Sequence, residues 1–425
     1  MPPTAETSEV ARRPSSQWLK HPGTAPLWLR AAVIFLGLRL ISWLLLEQAA
    51  EQQVWRPGVT GPSEDHIDLA LSWDAQWYQR IFEGGYPDTL PVGPDGRVQQ
   101  NPWAFYPLYP YTIRFVSALT GGDFATLAPL LALLAGLGAA VVMARLVVEA
   151  VPARGSRAEL VALATVAVWA ACPVAPVLQM AYTESFSMLL LVIVLLCLVR
   201  EQWWGVAAGA LLLGLTRPIA LPLIVVVAVA LWMRWRVRAA RPLRTDELIG
   251  MAGAFVATGI SGIAWTTIAA LGTGRRDAYP TTMTAWRGEA SINVFEPWKR
   301  TITWAWQTHE SIFVLPALGI VVPVALSLLM LVPQVAGGID LRLRVWSVAY
   351  SLYLVAVVDG HTSIFRYLIP LFPLAILLVG GARERPRLLG LRTTFWVVAG
   401  IVGQVGWIWW LVIFSPINGG GDYPP

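Results

Sequence analysis

Long apolar runs, separated in turn by short Arg-rich links and longer polar segments, set the pattern of this chain. The first run extends from about Leu27 to Leu46. Later ones lie near Phe124–Val147, Leu160–Val177, Phe186–Leu198, Trp204–Leu215, Pro218–Met233, Ile249–Leu271, Ile312–Val332, Val345–Val358, Phe365–Val379 and Phe395–Phe414. Together they predict about 11 membrane-crossing helices by a window of roughly 20 residues. The runs are continuously apolar rather than alternating, so they satisfy their backbone groups as helices and not as a barrel. Several are short, which predicts breaks or tilts near a site. The expectation is an all-α polytopic membrane protein with one transmembrane domain over residues 27–414.

Between the runs, residues 1–26 are polar, rich in Pro, Ser and Thr, and read as a disordered tail. No small-residue cleavage site follows the first run, which is therefore an uncleaved helix rather than a signal peptide. Arg39 falls in its second half, where a charge is costly and must face protein or a water-filled cavity. Helix-end carbonyls, a carboxylate or an anionic lipid would each satisfy it. Residues 47–123 form a long polar loop that closes on an aromatic, Pro-punctuated segment, Phe105–Leu119. Taken as an interfacial helix, that segment puts the Arg154/Arg157 link on the same side as every other Arg-rich link.

Positive-inside bias then orients the chain. Arg154/Arg157, Arg234 to Arg244, Arg342/Arg344 and Arg383 to Arg392 face the cytoplasm, with the N-terminus. The opposite face collects the 47–104 loop, Tyr182-Thr183-Glu184, Thr216-Arg217-Pro218, the 272–311 loop, Asp359-Gly360-His361-Thr362-Ser363 and a tail at 415–425. Every unusual polar cluster thus lands on one side, which predicts a single extracytoplasmic site in a multi-pass plasma-membrane protein. No internal repeat or inverted pair of broken helices is visible.

Composition agrees with a membrane solvent. The chain is 56% hydrophobic and 13% charged, about half the charge of a soluble domain. Its net charge of +5 comes mostly from Arg in the short links, so it predicts no nucleic-acid partner. Cys172 and Cys197 both fall in apolar runs and read as buried thiols. Many of the 22 Trp belong to interfacial belts.

The most distinctive stretch is Ser72-Trp73-Asp74-Ala75-Gln76-Trp77-Tyr78, followed by Gly84-Gly85-Tyr86-Pro87 and Ala104-Phe105-Tyr106-Pro107-Leu108-Tyr109-Pro110. A lone Asp between two Trp at the mouth of a membrane bundle suits a catalytic base in a carbohydrate-sized cleft. The plainer alternative for Asp74 is a cap on the helix that begins near Ala75.

These motifs resemble the start of the PIG-V family, the second mannosyltransferase of GPI-anchor synthesis and its bacterial homologues. The similarity continues through Tyr182-Thr183-Glu184-Ser185, Thr216-Arg217-Pro218, Trp286-Arg287 and Phe365-Arg366-Tyr367 with Pro370, in order along nearly the whole chain. The resemblance implies a GT-C glycosyltransferase bundle whose large first extracytoplasmic loop carries a catalytic acid. It also implies a polyprenyl-phosphate mannose donor and inversion at the anomeric carbon. The Ala- and Arg-rich composition suits a high-GC, actinobacterial source, so a phosphatidylinositol mannoside, lipomannan or other envelope glycan is expected as acceptor in place of a GPI anchor.

That chemistry needs a base, cations for the leaving phosphate and a cleft that excludes water. Asp74 is the expected base. Glu184 could bind acceptor hydroxyls or orient a cation, or be a helix N-terminal acid favoured by the macrodipole. Arg366 stands first for the donor phosphate, because a charge inside an apolar run needs a function or a partner; Arg217 is second and His361 third. Arg287 and Lys299 read either as further ligands or as solvated loop charges. Trp73, Trp77, Tyr78, Tyr106, Trp286 and Tyr367 are expected, with Glu184 and Arg287, to line the sugar or acceptor subsite. The same aromatics equally suit an interfacial belt. No ligand spacing for a metal is present and no cofactor is expected, although the related oligosaccharyltransferases use a divalent ion. Two rivals stand beside this reading: the same fold with another lipid-linked sugar, and a lipid or glycolipid transporter with Arg39 and Arg366 along its pathway. A transporter should have polar residues toward both sides of the bilayer, whereas here they gather on one.

Overall fold

The computed structural model describes residues 25–53, 65–287 and 293–413. The tails expected at residues 1–26 and 415–425 lie outside these, apart from residues 25 and 26. Among the described residues the regular structure is helical, with one isolated bridge between Val92 and Val98.

The chain opens with α1 (Leu27–Ala50) and enters the first long loop, which folds into α2 (His66–Ala70), α3 (Asp74–Gly84) and α4 (Leu108–Thr120). The bundle continues through α5 (Phe124–Ala150), α6 (Ser156–Ala170), α7 (Glu184–Val199), α8 (Trp203–Gly214), α9 (Ala220–Arg236) and α10 (Thr245–Thr273). The second long loop contributes α11 (Ala278–Arg287) and α12 (Glu296–Thr308). After it come α13 (Ser311–Gly319), α14 (Val321–Leu329), α15 (Pro333–Ala336), α16 (Leu341–Val357), α17 (Ile364–Tyr367), α18 (Pro373–Leu378) and α19 (Leu389–Trp407).

Five helical stretches are long and apolar enough to cross a bilayer: Leu27–Ala50, Phe124–Ala150, Thr245–Thr273, Ser311–Leu329 and Leu389–Val412. This is the architecture of a multi-pass membrane protein, and the remaining runs of the expected set of about 11 form shorter helical pieces. Most of these are short helices, as their runs in the sequence were. α6, α7, α8, α9 and α16 have 15, 16, 12, 17 and 17 residues. The run Phe365–Val379 is not one helix at all. Pro370 and Pro373 each remove a backbone donor, and the run divides into α17, a tight turn at Ile369–Leu371 and α18. The indole N–H of Trp346 takes up the Pro370 carbonyl at 2.8 Å.

Small residues let the helices approach closely, as in other membrane bundles. At Gly214 a Cβ would lie 2.6 Å from both Cβ and the carbonyl oxygen of Ser261, so α8 and α10 can meet there only through glycine. The two ends of the bundle differ in character. At one end the Arg-rich links come together: Arg200 pairs with Glu149 at 2.7 Å, Arg234 with Glu247 at 2.5 Å, and Asp340 N–H bonds the Ala150 carbonyl at 2.8 Å. At the other end the N-termini of α3, α7 and α9, helix α11 and the C-terminus of α16 surround one cavity. Cys172 and Cys197 are half-buried free thiols.

Candidate active site

Two backbone segments meet first. Ala181 N–H donates to the Ala70 carbonyl at 3.0 Å, and the Tyr182 hydroxyl donates to the Ser72 carbonyl at 3.2 Å. These ties set the start of α3 beside the start of α7, although the two are more than a hundred residues apart. Asp74 is the first residue of α3 and Glu184 the first residue of α7. Both carboxylates therefore lie at helix N-termini, where the macrodipole favours negative charge. Asp74 is not the cap that its sequence context also allowed. Trp73 holds that position, with φ 52° and ψ −112°, a conformation that costs a non-glycine residue about 1–3 kcal/mol.

The cations come from breaks in helices. Arg217 occupies the turn between α8 and α9, where Pro218 ends regular pairing and Leu108 N–H docks on the Leu215 carbonyl at 3.0 Å. Arg366 belongs to the short α17, ahead of the Pro370 break. Its Nη1 lies 2.9 Å from Asp74 Oδ2 and 3.1 Å from Glu184 Oε1. Its Nη2 donates to Ser363 Oγ at 3.1 Å, and its guanidinium covers the Tyr182 ring at 4.9 Å. Arg217 Nη1 approaches the same Glu184 Oε1 at 3.0 Å, while its guanidinium lies over the Tyr367 ring at 4.8 Å. Two carboxylates and two guanidinium groups thus alternate in one chain: Asp74, Arg366, Glu184, Arg217. Their formal charges cancel, as burial of so much charge requires.

The two ends of that chain open into a cavity and the two middle members do not. Side-chain exposure is 23% for Asp74 and 13% for Arg217, against 2% for Arg366 and 1% for Glu184. The cavity has a volume of about 160 Å³. Among its lining residues Asp74 is the sole carboxylate, Arg217 and Arg287 are the cations, and Tyr78, Tyr106, Tyr279, Tyr350, Tyr353 and Tyr367 supply six phenols. Thr183 and Thr216 add hydroxyls, and Ala104, Phe105 and Met283 close an apolar side.

Three of the phenols pair with other hydroxyls. The Tyr78 hydroxyl lies 3.3 Å from Thr183 Oγ1, and the Tyr106 and Tyr279 hydroxyls are 3.4 Å apart. Burial, and then the charge of Asp74, push the Tyr78 hydroxyl well above the usual phenol range. Burial raises Tyr106 and Tyr279 as well. All three keep their protons at any physiological pH. Arg287 is anchored from outside by Asp359, with Nε 3.5 Å from Oδ2, and Arg300 pairs with the other oxygen of that carboxylate at 3.0 Å.

The expected residues therefore divide. Asp74, Arg217, Arg287, Tyr78, Tyr106 and Tyr367 line the cavity. Arg366 and Glu184 lie behind its wall as mutual counter-ions, and neither presents an open face to a ligand. Trp77 stacks on Phe105 with centroids 5.6 Å apart, and Trp286 meets Trp77 edge-on at 5.3 Å, so these indoles back the wall from outside. Trp73 packs against the core. His361 is exposed in the bend before α17 and lines no part of the cavity, and Lys299 is a solvated partner of Glu296. Sequence reasoning missed Tyr279, Tyr350 and Tyr353. The i, i+3 spacing of the last two within an apolar run was the available signal. Arg39 reaches helix-end carbonyls: it donates to Ala170 and Ala175. Among the described residues no group of three or more His, Cys, Asp or Glu side chains is assembled where it could hold a metal ion. No family model matches the chain, and no curated protein matches it.

Proposed function

We propose that the protein is an inverting glycosyltransferase that moves mannose from polyprenyl-phosphate mannose to a membrane glycolipid or envelope glycan on the extracytoplasmic face. The observation that carries this reading is the cavity itself, with one carboxylate facing two guanidinium groups among six phenols. Phenol rings and hydroxyls suit the apolar faces and polar edges of a sugar. The two cations lining the cavity suit a phosphate, which Arg grips bidentately.

In this reading Asp74 takes the proton of the acceptor hydroxyl as that oxygen bonds to the anomeric carbon. The bond from that carbon to the phosphate oxygen breaks, and its electron pair leaves with the polyprenyl phosphate. Arg217 and Arg287 neutralise the charge that develops there. Attack from the face opposite the phosphate inverts the centre. Arg366 holds one carboxylate oxygen of Asp74 and so aims the other side of the group. The PIG-V resemblance in the sequence supports a mannose donor and the GT-C bundle. The Arg-rich end, taken as cytoplasmic, supports the orientation.

The reading is tested with purified protein in liposomes, supplied with radiolabelled polyprenyl-phosphate mannose and a membrane glycolipid extract. Labelled glycolipid with an inverted linkage is the expected outcome. Label transferred only from a different lipid-linked sugar would replace the donor and keep the reaction. Movement of the donor across the bilayer without transfer would replace the enzyme by a transporter.

A further inference from the structure

Two atoms in the charge chain are shared. Glu184 Oε1 faces Arg217 Nη1 at 3.0 Å and Arg366 Nη1 at 3.1 Å, and that same Arg366 nitrogen serves Asp74 Oδ2 at 2.9 Å. Glu184 Oε2 is buried with no hydrogen-bond partner, so the carboxylate works through a single oxygen. Two guanidinium groups on one oxygen each weaken the other's bond, although the oxygen has a lone pair for each. Whatever draws one away strengthens the other.

From this geometry we infer that Glu184 is an exchange counter-ion: it holds Arg217 until a phosphate arrives, and on release tightens onto Arg366. The inference rests on the proposed reading of the cavity as a phosphate and sugar site. Arg217 lines the cavity and Glu184 does not, so an incoming phosphate competes with Glu184 for the Arg217 guanidinium. When Arg217 turns to the phosphate, Glu184 Oε1 loses one of its two partners. Arg366 then shifts its shared nitrogen toward Glu184 and away from Asp74 Oδ2. The Arg366 hold on Asp74 thereby loosens, without letting go of its aim, only when the donor is seated. Glu184 is a positioning residue in this scheme, since it touches neither substrate nor reacting atoms. The quartet is neutral before the donor binds, and the counter-ion cannot leave.

Partner exchange predicts opposed effects in Glu184→Gln. With the competing charge gone, Arg217 is free for phosphate, while Arg366 has Asp74 as its one remaining carboxylate. A C15 isoprenyl methyl phosphate, which carries the phosphodiester but no transferable sugar, should bind Glu184→Gln about tenfold more tightly than wild type. Mannose transfer at saturating donor should fall about a hundredfold. Structural damage would weaken both, so the split separates the two causes. Binding is read by calorimetry in nanodiscs, and folding by monodisperse elution and thermal melting. Should Glu184→Gln not fold, Glu184→Asp reads the same split at smaller amplitude, since it keeps the charge and withdraws it by one methylene. Probe affinity that is unchanged or weaker in the variant that folds overturns the exchange. Tighter probe binding in a protein whose wild type transfers no sugar upholds the exchange and overturns the enzyme reading. Transfer by wild type with no gain in probe affinity does the reverse.

Discussion

Arg366 Nη1 lies 2.9 Å from Oδ2 of Asp74, a residue 292 positions earlier in the chain, and this pair fastens the last third of the bundle to the first loop. The arginine is 2% exposed and the aspartate 23%, so the pair is buried on one side and open to the cavity on the other. A buried guanidinium bridging two carboxylates ties the fold together, and in the proposed reading it also serves the site. It gives both acids a counter-charge and fixes the direction in which Asp74 points.

Substitution at Arg366 should separate those roles. Arg366→Met leaves two carboxylates with an uncompensated buried charge, which costs roughly 3–5 kcal/mol, and should show as a large loss of melting temperature in detergent. Arg366→Lys keeps the charge without the fork geometry. It should fold, with kcat reduced about a hundredfold by misplacement of Asp74 and little change in KM for the donor. An equal rise in KM would mean that Arg366 itself contacts the donor.

Arg217 and Arg287 should behave differently from Arg366 because they line the cavity. Replacing Arg287 by Gln removes a charge-assisted contact worth about 1.5–3 kcal/mol, or roughly ten- to a hundredfold in kcat/KM for the donor. The Arg287 side chain is 28% exposed and its pairing with Asp359 spans 3.5 Å, so folding should be spared. Steady-state kinetics against donor concentration decide this.

The Tyr106 and Tyr279 hydroxyls, 3.4 Å apart, form a polar edge on an otherwise aromatic wall. Removing either with Phe should leave the fold intact and relax discrimination between mannose and its epimers, by about tenfold for a hydroxyl that reads a sugar hydroxyl. Competition between labelled donors measures the ratio. An unchanged ratio would place the sugar elsewhere in the cavity.

Gly214 is the contact point of α8 and α10 and lies three residues before Arg217. Gly214→Val forces the helices apart and should cost about 1–3 kcal/mol by overpacking, with a smaller loss for Gly214→Ala. Melting temperature in a fixed detergent checks the order.

Much of this architecture was legible from residue order alone. Most of the apolar runs became helices close to their expected limits, Phe365–Val379 and Ile312–Val332 excepted, and the loop motifs around Asp74, Glu184, Arg217 and Arg366 converge at one end of the bundle. The lengths were less legible, because a hydropathy window bridges the Pro370 and Pro373 breaks and the helix boundary at Ile320. Burial of Arg366 was also hidden. A charge in an apolar run announces a partner, but not whether that partner is protein or ligand. Tyr350 and Tyr353 were concealed for a related reason: within an apolar helix a phenol reads as packing until its neighbours across the bundle are known.

The central claim is that Asp74 is the base in a sugar-transfer cavity, and the most direct measurement is mannose transfer by wild type and Asp74→Asn side by side. Asparagine preserves the shape and can still accept a hydrogen bond from Arg366, so comparable melting and elution establish that both are folded. Labelled glycolipid is expected from wild type, and at least about a hundredfold less from the variant. Equal transfer by the two proteins would contradict the claim and make Asp74 a structural partner of Arg366.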